Sequence, residues 1–145
     1  MEIISESLQK TKKTGEILAK ETLKIESSKA LVFELKGNLG SGKTSFTQGF
    51  ARGLGIKEKI TSPTFNLMKK FKINKKSKFE FFFHIDCYRV EKSKEMLDLG
   101  FREIISNSKN IVIIEWPDKI KKILPKDSVI VNFEFIDLKT RKITF

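Results

Sequence analysis

Apolar residues recur along this chain in two rhythms. LVFELK (31–36), closed by Gly37, predicts a buried strand, and the β-branched run IVIIEW (111–116) predicts the central one, buried on both faces. FEFFFHID (79–86) predicts a further strand, with Phe79 to Phe83 either buried on both faces or covering a neighbouring sheet. TSPTFNLMKKFKI (61–73) opens as a loop at Ser62-Pro63 and continues as a strand, and INKKSK (73–78) is a turn. SVIVNFEFIDLKTRKITF (128–145) alternates around Asp137–Thr140 and predicts a closing hairpin. The helical rhythm appears in SFTQGFARGLG, where Phe46, Phe50 and Leu54 share a face and Gly53 and Gly55 supply the stop. It returns over 93–105 through Met96, Leu97, Phe101, Ile104 and Ile105. Leu8, Ile17, Leu18 and Leu23 predict a helix from about residue 11. Strands interleaved with helices give an α/β class: a mixed sheet flanked by helices, with an antiparallel portion that includes the C-terminal hairpin.

At 145 residues, without internal repeat or low-complexity linker, the chain is read as a single domain spanning 1–145. No apolar run reaches the length that spans a bilayer, and the N-terminus has no signal-peptide pattern. The lone Cys87 excludes a disulfide framework and a cysteine-based metal cluster. A cytoplasmic protein without a membrane or DNA partner is therefore expected. The net charge of +11 would ordinarily suggest a nucleic-acid or membrane-surface partner, but 25 lysines against four arginines, beside many Ile, Phe and Asn, match the bias of AT-rich coding. Most of the lysines are read as a solvated surface.

GNLGSGKTSF (37–46) carries the chemistry. Gly37, Gly42, Lys43 and Thr44 match G-x-x-x-x-G-K-[ST], with a predicted strand before and a helix after. Its glycines let the backbone turn so that N–H groups converge on phosphate oxygens, and the following helix adds its positive end. Gly37, Asn38, Leu39, Gly40, Ser41, Gly42, Lys43, Thr44 and Ser45 are thus expected to cradle a nucleotide. Lys43 would reach the β- and γ-phosphates, and Thr44 would offer its hydroxyl to Mg²⁺. Two acids stand at predicted strand ends, Asp86 in HIDCYR and Glu115 in IIEWP, where an α/β sheet builds its ligand crevice. Asp86 is the expected Mg²⁺-side acid, with Glu115 also near the metal and placed to position or activate water. Lys43 and Glu115 are the candidate catalytic pair. Trp116 either packs ordinarily or lines the nucleotide cleft. His84 reads as a structural histidine and Cys87 as a small buried residue. Thr64 sits on a loop where nucleotide switches often carry a threonine, and a plain turn explains it equally well.

Taken together, GNLGSGKTSF, SPTF, HIDCYR, LGF and IIEWP, in this order, resemble the TsaE family across nearly the whole chain. The resemblance implies a small P-loop ATPase, using ATP and Mg²⁺, needed to form threonylcarbamoyladenosine at position 37 of tRNA. It implies action with a TsaB–TsaD complex that the ATPase resets between turnovers, and tRNA contact directly or through those partners. It implies that Lys43 and Thr44 hold phosphate and Mg²⁺, that Thr64 lies in a switch-like loop, and that Asp86 is the metal-side acid. Glu115 would be the acid essential for hydrolysis, and Trp116 the tryptophan near the nucleotide. Asn38 stands where the family usually has Asp, and Ser41 where Ala is commoner. The alternative is a P-loop small-molecule kinase, which generally needs an arginine-bearing lid; Arg52, Arg89, Arg102 and Arg141 are scattered. A basic RNA-binding module would leave the phosphate loop unexplained, and no N-K-x-D motif marks a GTPase.

Overall fold

The computed structural model of the chain describes residues 1–61 and 67–145, so Thr64 and the Ser62-Pro63 loop lie outside the described residues. The strands are β1 (Glu2–Ser5), β2 (Leu31–Lys36), β3 (Met68–Lys72), β4 (Phe81–Asp86), β5 (Asn110–Glu115), β6 (Val129–Phe135) and β7 (Arg141–Thr144). The helices are α1 (Leu8–Thr22), α2 (Lys43–Gly53), α3 (Ser93–Leu97) and α4 (Phe101–Ser106), and a 3-10 turn covers Pro117–Ile123. The strands form one sheet in the order β1-β7-β6-β2-β5-β4-β3. Its middle, β6-β2-β5-β4, is parallel, whereas β3, β7 and β1 join antiparallel.

Both faces of the sheet are covered. Phe33, Leu35, Phe82, Ile111 and Ile113 pack with Phe46, Phe50 and Leu54 of α2 in one core. Val32, Phe83, Ile85, Val112 and Ile114 pack with Met96, Phe101 and Ile120 in the other. Every residue of β5 is buried, as a β-branched strand between two parallel neighbours must be. The expected α/β class, the mixed sheet and the C-terminal hairpin are all present. Phe79 and Phe82 serve one core and Phe83 the other, so this segment is buried on both faces.

Several local expectations need correction. β1 was not foreseen; it gains its partner only from β7, the far end of the chain. The helix expected over 93–105 is two, because Gly100 adopts a left-handed conformation (φ 85°) between α3 and α4. β5 stops at Glu115, which leaves Trp116 outside the strand. α1 starts at Leu8, where the Ser7 hydroxyl accepts from the Lys10 N–H, rather than near residue 11.

The buried side of α1 is only partly apolar. Leu8 and Ile17 are more than half exposed, Leu18 and Leu23 are partly buried against the core, and the fully buried positions are Thr11, Thr14, Gly15, Ala19 and Thr22. The reason is how closely α1 lies on α2. A methyl group at Gly15 would overlap the Phe46 carbonyl, one at Gly49 the Lys12 carbonyl, and one at Gly53 would stand 2.6 Å from the Glu16 oxygen. Only small residues let two helix backbones meet so closely, so size outweighs hydrophobicity at this contact.

This contact sets a sign test. Gly→Ala in an open helix gains about 1 kcal/mol from propensity. At Gly49 the same change should instead cost about 1–3 kcal/mol by overpacking, read as a lower urea midpoint. Ile17→Ser should stay within about 0.5 kcal/mol of the parent; a large loss there would mean that Ile17 packs against a neighbour and is not exposed.

Candidate functional site

β2 delivers the chain at Lys36, and α2 starts again at Lys43, so the phosphate-binding pattern bridges a strand end and a helix head. Gly42 caps α2 at φ 103°, a conformation that a side chain would strain, and Gly40 is also left-handed at φ 76°. Asn38 and Leu39 are exposed at the tip, and the Ser41 N–H donates to the Asn38 carbonyl at 3.1 Å. Ser41 is buried, while Thr44 and Ser45 continue the first turn of α2 half-buried. One amide of the loop, that of Ser41, is therefore held by the loop itself.

Lys43 is the first residue of α2 and is only 5% exposed. Its ammonium donates to the Gly37 carbonyl at 2.6 Å and lies 3.9 Å from the centre of the Trp116 ring. Burial pulls its pKa below the ordinary lysine range, against the opposing pull of Glu115 and then Asp86. The two acids end neighbouring parallel strands in register, Asp86 opposite Glu115. Strand alternation places His84, Asp86 and Glu115 on the sheet face that carries α2. Asp86 is half-buried, and burial pushes its carboxyl above the usual range, with Glu115 adding to the rise. The Tyr88 N–H, bonded to Oδ1 at 3.0 Å, opposes that rise.

Glu115 is held more tightly. His84 Nε2 donates to its Oε2 at 2.6 Å, with both side chains almost sealed from solvent. His84 thus fixes the carboxyl of the candidate catalytic acid. Its other ring nitrogen, Nδ1, is buried without a protein partner among the described residues. Trp116 is the one non-glycine with positive φ among the described residues, at φ 56° and ψ 51°. That conformation costs about 1–2 kcal/mol. It turns the indole onto Lys43 and beside the Tyr88 ring, 5.1 Å away.

Lys43, Asp86, Glu115 and Trp116 therefore come together beside the Gly37–Gly42 loop. Thr64 lies outside the described residues. Three neighbours of the site were not anticipated. His84 had a readable signal, because two residues before Asp86 on a strand means the same face. Tyr88 had none beyond its nearness to Asp86. Arg141 had none either: from β7 its Nε donates to the Gly40 carbonyl at 3.1 Å.

A family model described as "Threonylcarbamoyl adenosine biosynthesis protein TsaE" matches residues 5–143. The chain belongs to the TsaE family. A tRNA threonylcarbamoyladenosine biosynthesis protein TsaE from Haemophilus influenzae is 36% identical over 87% of this chain and 74% of its own. The protein of that name from Treponema pallidum is 31% identical over 99% of this chain and 98% of its own. The crystal structure of Bacillus subtilis YdiB superposes with a TM-score of 0.73 at 26% identity, covering 99% of this chain and 82% of that one. Threonylcarbamoyladenosine biosynthesis is accordingly the process with which this TsaE chain's family is associated.

Two outcomes follow from the geometry. His84→Leu would strand a buried carboxyl and should cost about 1–3 kcal/mol. His84→Leu with Glu115→Leu should cost less than the sum of the single changes, by a coupling of about 1 kcal/mol or more in a urea double-mutant cycle. Strict additivity would mean the pair is not coupled. Cys87 is fully buried, and burial, with Asp86 adding, raises its thiol pKa to about 12. At pH 8 it should stay unmodified by a disulfide reagent in the folded chain and react once the chain is unfolded in denaturant.

Proposed function

We propose that this chain is a Mg²⁺-dependent ATP hydrolase that serves tRNA threonylcarbamoyladenosine formation by acting on a TsaB–TsaD complex. The observation that carries the reading is the desolvated Lys43 ammonium at the head of α2, faced by Asp86 and Glu115 from two strand ends. A buried ammonium beside a turn of glycines gains most from a polyanion, and the phosphates of a nucleotide fit that requirement.

Among the described residues no three His, Cys, Asp or Glu side chains converge as a ready-made metal cage. That suits Mg²⁺, which commonly takes one or two protein oxygens and completes its shell with phosphates and water. Thr44 and Asp86 would hold it, and when bound it would neutralise charge on the phosphates. Lys43 would bind the β- and γ-phosphates. Glu115, fixed through one oxygen by His84, would present its other oxygen to orient the attacking water and accept its proton. Trp116, stacked on Lys43, would cover the phosphate side of the cleft.

A metabolite kinase draws little support from three of the four arginines. Arg52 is exposed at the far end of α2 from Lys43. Arg102 lines a groove with Lys29 and Pro125, which precede β2 and β6 at the opposite end of the sheet. Arg141 is bonded to backbone carbonyls. Among the described residues no helix is long and apolar enough to cross a membrane.

The test uses Trp116, the single tryptophan, as an intrinsic reporter. ATP with Mg²⁺ should change its emission in the parent chain and in Glu115→Gln, but not in Lys43→Ala. Hydrolysis, measured alone and with the TsaB–TsaD pair, should rise with the pair and fall about 100-fold or more in Glu115→Gln. Equal loss of binding in both variants would remove the catalytic role given to Glu115. Transfer of phosphate to an added metabolite would favour the kinase.

A further inference from the structure

Arg141 lies at the start of β7, far in sequence from the phosphate loop, yet its side chain ends on that loop. It is 9% exposed. Nε donates to the Gly40 carbonyl at 3.1 Å, and one terminal nitrogen donates to the carbonyls of Asp137 at 2.6 Å and Thr140 at 3.1 Å. The guanidinium carbon is 4.6 Å from the centre of the Phe135 ring. Its aliphatic stem runs past Gly42, where a Cβ would stand 3.6 Å from Arg141 Cγ. The arginine is thus pinned to the β6–β7 turn at one side and grips the loop backbone at the other.

A trans peptide is planar, with its C=O and N–H pointing in opposite directions. The carbonyl of Gly40 and the N–H of Ser41 belong to one such unit. With the oxygen held by Arg141, the Ser41 N–H is turned the opposite way, to the loop's own side, where it meets the Asn38 carbonyl at 3.1 Å. A phosphate cradle depends on inward N–H groups, and one flipped peptide would put a carbonyl oxygen against the anion. Gly40 makes such a flip easy, since it lacks a side chain and a Cβ there would meet nothing within 4 Å.

We propose that Arg141 is a positioning residue for nucleotide binding: it fixes the Gly40–Ser41 peptide so that the loop presents N–H groups, not oxygen, to phosphate. This rests on the nucleotide-binding reading above. Because the arginine acts through the loop and is not assigned to the water-activating side of the site, its loss should appear in affinity and not in the chemical step.

The experiment compares the parent chain with Arg141→Lys, Arg141→Gln and Arg141→Ala, each checked for folding by circular dichroism. It follows MgATP binding by Trp116 emission and hydrolysis kinetics in the presence of the partner pair. Arg141→Ala should weaken ATP binding and raise KM about 10-fold, with kcat within about threefold, and Arg141→Lys should recover part of the loss. A folded Arg141→Ala chain with parent affinity and KM overturns the proposal, as does a loss confined to kcat. A parent chain that binds no nucleotide overturns the nucleotide reading itself, and this proposal with it. Should the variants not fold, the parent chain still decides by NMR. The Arg141 Nε–H should exchange slowly with solvent with and without MgATP, and fast exchange in both states overturns the proposal.

Discussion

Lys43 places an ammonium where water hardly reaches, and much of the site is arranged around that charge. An unpaired buried charge is costly, so its surroundings must supply negative potential or oxygen. Here the Gly37 carbonyl bonds it, the face of Trp116 lies on it, and Asp86 and Glu115 act on it from two strand ends. Those acids are themselves partly or wholly desolvated, which makes the cluster mutually dependent. Glu115 has a fixed direction through His84, and Asp86 is tied by the backbone of Tyr88.

The scaffold supports this cluster by fixing α2. The close approach of α1 through Gly15, Gly49 and Gly53 leaves α2 little freedom to slide, and Phe46, Phe50 and Leu54 lock its other face to the sheet. The position of Lys43 at the head of α2 follows from both contacts. The left-handed Trp116 belongs to the same logic. Its backbone strain is held by the packed strand before it and Pro117 after it, and the return is an aromatic ring on the ammonium.

Much of this was legible beforehand. β2, β5 and the hairpin of β6 and β7 followed from apolar runs and alternation, and α2 from three aromatic or aliphatic residues four apart. Lys43 is named by its motif, and Asp86, Glu115 and Trp116 by their place at strand ends, because ligand crevices in α/β sheets form there. The errors have physical causes. α1 also buries Thr11, Thr14, Gly15, Ala19 and Thr22, positions that an apolar pattern does not mark, because its close contact with α2 selects for small side chains and not for apolar ones. β1 was missed because a four-residue edge strand with Glu2 and Ser5 carries almost no periodic signal, and its pairing depends on residues at the other end of the chain.

The sequence by itself determined the local periods, the phosphate-loop spacing, the TsaE resemblance and the identity of the chemically competent side chains. All of these are written in the order and spacing of residues along the chain. Only the tertiary structure decided which of them touch. The bond from His84 to Glu115 spans 31 residues and that from Arg141 to Gly40 spans 101. Both exist because strand order and register bring distant backbones within a few ångströms, and no local pattern encodes that order.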